Sequence, residues 1–203
     1  MDKDYLQDIQ DIKQMMNKSS QFLSLSGLSG IMAGIYALAG ALATKYIYNI
    51  NYGRYITLES TSFKAIIGIA VIVLLLSVVT AYILTSIKSK KRGETIWNAT
   101  SKRLMVNFLI PLVTGGIFSV LLLQNKYYGL IAPITLIFYG LACVNASKYT
   151  LRDVRYLGIT MIIIGLVASY FMGYGLEFWA LGFGICHILY GSIMYFKYDR
   201  KEV

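Results

Sequence analysis

The chain is predicted to be an all-α integral membrane protein: a bundle of six transmembrane helices with a short amphipathic N-terminal helix, and with both termini cytoplasmic. Three observations predict this. Of its 203 residues 57% are hydrophobic and 14% charged, with a mean hydropathy of +0.59, whereas about 25% of the residues of a soluble domain are charged. Six apolar runs are each long enough for a hydrocarbon layer, which takes about 20 helical residues: Ser24–Tyr48, Phe63–Ile87, Leu104–Gln124, Tyr128–Ser147, Val154–Gly173 and Leu176–Phe196. Lysine and arginine gather in alternate connections. With the amino terminus inside, 15 of the 19 lie on the inner side and only Lys45, Arg54, Lys64 and Lys126 lie outside, as expected when positive charge is retained in the cytoplasm.

The connections leave no room for a separate soluble domain, so residues 1–203 read as one membrane domain, assigned to the plasma (inner) membrane. The net charge of +9 caps span ends. Nothing that resembles a folded nucleic-acid reader remains once the spans are removed, so nucleic acid is not an expected partner. Cys143 and Cys186 both lie inside apolar runs, which makes a disulfide framework improbable.

In chain order, Tyr5, Ile9, Ile12 and Met16 recur at helical spacing, with Asp2, Asp4, Asp8 and Asp11 early and Lys13 and Lys18 late. That pattern predicts an amphipathic helix whose charges suit its dipole. Its aspartates are repelled by anionic lipid, so it is expected to dock on the bundle, a partner or a sister subunit. In span one, Ser26, Gly30 and Gly34 lie four apart and form a close-packing face, read as contact within the chain ahead of homodimerisation. Span two is almost featureless and reads as lipid-facing. The basic stretch Ser86–Arg103 is expected as an inner-surface connection, its lysines at headgroups and Trp97 at the interface. The Asn98-Ala99-Thr100 and Asn145-Ala146-Ser147 triplets match a glycosylation pattern but fall on the inner side.

Pro111 in span three, followed by Thr114, Gly115 and Gly116, predicts a kink and a carbonyl with no helical donor. Pro133 falls near the outer start of span four, where a missing amide matters less. A faint internal echo relates Tyr128-Gly129-Leu130, Tyr139-Gly140 and Lys148-Tyr149 to Tyr174-Gly175-Leu176, Tyr190-Gly191 and Lys197-Tyr198. Between them, Thr150 and Asp153 have the spacing of a capping box at the start of span five, flanked by Arg152 and Arg155.

The last span holds the only histidine. Ala180, Gly184, His187, Gly191 and Met194 recur at steps of three or four and so share one small, polar stripe. Gly184 and Gly191 permit a close helix approach, and the ring among them is expected to face protein or a water-filled cavity, since lipid offers its nitrogens no partner. The first reading is a neutral histidine bonded to a neighbouring helix. The second is a ligand site of His187 and Tyr190, with Glu177 at the outer turn, or a pH sensor.

No metal site, cofactor or catalytic residue is assigned. One histidine and two separated cysteines do not make a typical zinc site, the spans contain no aspartate for a proton relay, and no carboxylate lies at helical spacing to orient His187 as a base. Function therefore reads first as a non-catalytic accessory or sensing module. Such a module binds partner proteins or a small ligand within the bundle, and its partners are the bilayer and a partner membrane protein or its own copies. The alternative is a small-solute transporter or channel, suggested by Pro111 and the echo. A membrane enzyme acting on lipid through His187 and the inner arginines comes third.

Overall fold

Backbone polar groups in hydrocarbon find no water, and a helix satisfies them within one segment. The computed structural model describes residues 22, 24–50, 60–93 and 96–200, so the amphipathic helix expected over Tyr5–Met16 lies outside the described residues. It contains six helices long and apolar enough to cross a membrane. They are α1 (Gly27–Ile50), α2 (Thr61–Lys91), α3 (Ala99–Gln124), α4 (Ile131–Ala146, with 3-10 turns Tyr128–Leu130 and Ser147–Tyr149 at its ends), α5 (Asp153–Tyr170) and α6 (Gly175–Asp199). Within α6, α-helical turns alternate with wider π turns over Ala180–Cys186 and Tyr195–Asp199. The starts of α1, α3 and α5 and the ends of α2, α4 and α6 share one end of the bundle, called here the basic end.

The boundaries depart from the sequence expectation in two places. Most of Ser86–Arg103 is helix, because α2 continues to Lys91 and α3 begins at Ala99. Lys88 and Ser89 are 8% and 0% exposed, so their side chains hold α2 against its neighbours and do not meet headgroups. Asn98 starts α3 through a reciprocal cap: its side-chain oxygen accepts the Ser101 N–H at 2.7 Å, and the Ser101 hydroxyl accepts the Asn98 N–H at 3.0 Å. The capping box expected from Thr150 and Asp153 does not form, and α5 begins after Arg152 with no side-chain cap. The Thr150 hydroxyl donates to the Phe22 carbonyl at 2.8 Å, and the Phe22 N–H donates to the Tyr149 carbonyl at 2.8 Å. The chain ahead of α1 is thereby tied across the α4–α5 connection.

At the opposite end the turns are tight. The Tyr127 N–H donates to the Leu122 carbonyl and the Lys126 N–H to the Leu123 carbonyl, a paired closure that places Lys126 in the left-handed region at φ 64°. Gly173 at φ 106° turns α5 toward α6, a conformation that glycine adopts without steric cost.

Helix packing then follows the small residues. A Cβ on Gly34 would lie 2.7 Å from the Gly184 carbonyl oxygen, and one on Gly191 would lie 2.6 Å from the Ile31 nitrogen and 2.8 Å from the Gly27 oxygen. These distances place the backbones of α1 and α6 in direct contact. A second seam joins α4 and α5, where Cβ atoms on Gly140 and Gly158 would each lie 2.6 Å from the other residue's carbonyl oxygen. In the two Tyr-Gly steps of the internal echo, Gly140 crosses α5 and Gly191 crosses α1. The buried clusters Leu136, Leu157, Met161, Cys186 and Cys143, Leu151, Val154, Met194 fill the space where α4, α5 and α6 meet. On the far side of α1, the apolar stretch of α2 has no buried residue. Residues such as Ile72, Leu75 and Val79 face outward.

Gly191→Ala is expected to destabilise the bundle by about 1–3 kcal/mol, the usual cost of overpacking. Gly68→Ala in α2, where a Cβ meets nothing within 4 Å, is expected to cost nothing. Thermal melting of both variants in one detergent makes the comparison, and equal melting temperatures contradict the α1–α6 seam.

Candidate functional site

The centre of the bundle is organised around His187, which is 6% exposed. Its Nδ1 lies 3.0 Å from the Gly182 carbonyl oxygen. A carbonyl only accepts, so Nδ1 carries the hydrogen and donates it. Nε2 lies 2.8 Å from the Tyr139 hydroxyl on α4. In the neutral ring this nitrogen accepts, and the tyrosine donates. The acceptor carbonyl belongs to the residue five positions back, inside the π stretch of α6. The glycine stripe and the histidine also part company: Gly184 and Gly191 face α1, while the His187 ring faces α4.

Aromatic rings close this centre. The Tyr139 ring stands edge-on to Phe108 of α3 at 6.0 Å and to Phe183 at 5.1 Å, and Phe183 stacks with His187 at 5.8 Å. Trp179, Phe183 and His187 are four residues apart on α6, which is the spacing that brings side chains onto one face. Tyr190 turns away. Its hydroxyl lies 3.4 Å from the Thr160 hydroxyl of α5.

Pro111 sits inside α3 and has no N–H, which leaves the Asn107 carbonyl without its helical donor. That oxygen accepts from the Asn145 side-chain amide of α4 at 2.9 Å. The freed carbonyl is therefore bonded within the chain, where a transporter of the broken-helix kind would use it for an ion.

The densest polar cluster is at the basic end. One Asp199 oxygen accepts from the Lys88 ammonium at 2.5 Å, and the other accepts the Gly27 N–H at 2.9 Å with the Ser26 hydroxyl at 3.5 Å. Lys88 also donates to the Leu25 carbonyl at 2.9 Å. The side chains are only 10% and 13% exposed. Asp199 supplies from α6 the anionic cap that α1 lacks in its own sequence, at the helix end where the dipole favours negative charge. Lys88 balances it. Nearby, Asp153 accepts from Lys197 at 2.9 Å and from the Tyr198 hydroxyl at 2.6 Å, and here Lys197 is half exposed.

At the opposite end, Glu177 lies 3.8 Å from Lys45, both about half exposed. The structure brings Ser26, Gly30, Gly34, Gly184 and Gly191 together along α1 and α6. It does not bring His187, Tyr190 and Glu177 together. His187 faces α4, Tyr190 faces α5, and Glu177 is ten residues earlier, or about 15 Å at helical rise. Sequence reasoning missed Tyr139, Gly182, Asn145, Lys88 and Asp199. Asn145 was within reach, since Pro111 leaves a known carbonyl in need of a donor. Among the described residues no three His, Cys, Asp or Glu side chains converge as metal ligands. No protein-family model, curated protein or solved structure matches the chain.

Asp199→Asn leaves Lys88 charged and unpaired in a buried site, and it is expected to cost about 3–5 kcal/mol. Asp153→Asn, whose lysine partner meets solvent, is expected to cost about 1 kcal/mol or less. Equal losses in chemical or thermal unfolding contradict the capping role of Asp199.

Proposed function

We propose that the protein is a non-catalytic, multi-pass membrane module of the plasma (inner) membrane, with both termini cytoplasmic, whose work is to engage partner membrane proteins or further copies of itself. The observation that carries this reading is the internal use of the polar groups in the bundle. Both His187 nitrogens and the carbonyl freed by Pro111 bond to other groups of the same chain, and two of these contacts, Tyr139–His187 and Asn145–Asn107, fasten α4 to α6 and to α3. Interaction then falls to the outside. The apolar faces of α2 and α3 are exposed, and Phe22 is hydrogen-bonded to the α4–α5 connection at the basic end.

A transport role is the second reading, favoured by the π turns that flank His187, because such turns recur at functional sites. A cavity opening beside Tyr139 in a transport cycle would break the His187 bonds.

The orientation is tested with cysteines at Gly93 and Lys126, which lie in connections at opposite ends of the bundle. The residue at 126 is expected to react with an impermeant thiol reagent in intact cells, and the residue at 93 only after permeabilisation; the reverse pattern contradicts the orientation. In the same background, removing residues 1–21 is expected to leave the melting temperature unchanged and to alter the assembled size on native electrophoresis. An unchanged size and set of partners overturns the role given to that segment.

A further inference from the structure

The end of the bundle opposite Asp199 has a feature that helix packing does not use. Glu177 forms a ridge between two apolar grooves. One, of about 310 Å³, is lined by Phe171, Tyr174, Phe178 and Leu181 with Glu177 at its rim. The other, of about 150 Å³, lies between α6 and α1 and is lined by Leu38, Ala41 and Leu42, with Lys45 and Glu177 at its rim. The two charged groups lie 3.8 Å apart, and each side chain is about half exposed. Glu177 is in the first turn of α6 and Lys45 in the last turns of α1. From there the apolar walls lead inward, along α1 from Lys45 to Leu38 by about 10 Å at helical rise.

We propose that the Lys45–Glu177 pair and its two grooves bind one phosphatidylethanolamine molecule, the phosphate at Lys45, the ammonium at Glu177, and one acyl chain in each groove. The charge pattern selects this headgroup. A carboxylate and an ammonium side by side complement an ammonium and a phosphate side by side, and both contacts are charge-assisted hydrogen bonds. Phosphatidylcholine carries the same charges, but its quaternary amine has no N–H to donate to Glu177. Phosphatidylglycerol lacks the cation altogether. The two grooves on either side of one polar ridge match a lipid with two chains. The pair is also spare: at half exposure its mutual attraction contributes about 0–1 kcal/mol, so exchanging it for two lipid contacts costs little. This site rests on the bundle being embedded in a membrane, and not on which partner it engages.

The test is native mass spectrometry of the detergent-solubilised protein with phosphatidylethanolamine, phosphatidylcholine and phosphatidylglycerol of identical acyl chains. Phosphatidylethanolamine is expected to be retained about tenfold more strongly than either competitor, the factor that one charge-assisted bond supplies. Glu177→Gln and Lys45→Met are each expected to remove most of that preference, with melting temperatures near that of the parent to show that both variants fold. Equal retention of the three lipids, or a preference that survives both substitutions, overturns the proposal. Protein that fractionates with membranes yet shows no headgroup preference refutes this site alone and leaves the membrane reading standing.

Discussion

The structure depends on one constraint: a polar group buried between helices is costly unless a hydrogen bond satisfies it, and among the buried side-chain nitrogen and oxygen atoms of the described residues only Thr85 Oγ1 is left without a partner. His187 satisfies it with both ring nitrogens, one on Gly182 in its own helix and one on Tyr139 across the interface. Pro111 creates the same need at the Asn107 carbonyl, and Asn145 meets it. The Tyr139–His187 and Asn145–Asn107 contacts each link two helices, α4 to α6 and α4 to α3, and so fix a register that apolar contact alone leaves loose.

α6 is where these demands converge. Its glycine face meets α1 backbone to backbone, its His187 bonds to α4, its Tyr190 reaches α5, and its final residue caps α1 while neutralising Lys88 of α2. The π turns of α6 bear on this. They place the Gly182 carbonyl, five residues back, within reach of the His187 ring. Glycine also matters at Gly182 for another reason, since a Cβ there would collide with the buried Leu136 side chain and lie 3.2 Å from the sulfur of Met161.

Much of the architecture was legible because length and apolarity report directly on span-forming helices, and α2 could be read as outward-facing from its lack of polar residues. Gly30, Gly34, Gly184 and Gly191 stand at helical spacing in the sequence, and in the structure they lie where α1 and α6 approach each other. Other features depend on residues far apart in sequence. Lys88 resembles every other lysine at a span end, and only the position of Asp199, 111 residues later, turns it from a surface charge into half of a buried pair. The single stripe drawn through Gly184, His187 and Gly191 assumed an α-helix throughout, and the π stretch Ala180–Cys186 departs from that assumption just ahead of His187. Thr150 and Asp153 had the spacing of a cap, but Phe22, Lys197 and Tyr198 took their hydrogen-bonding groups instead.

Because the chain has a single histidine, its ring can be examined without assignment ambiguity. Nitrogen-15 NMR of ring-labelled protein in lipid, at neutral pH, is expected to show one neutral species with the hydrogen on Nδ1, a hydrogen-bonded acceptor at Nε2, and an Nδ1–H that exchanges slowly with water. An Nε2-protonated ring would leave Nδ1 without a hydrogen for the Gly182 carbonyl, and rapid exchange of the ring hydrogen with solvent would show that His187 faces a hydrated space; either result would contradict a bundle fastened through its interior polar groups.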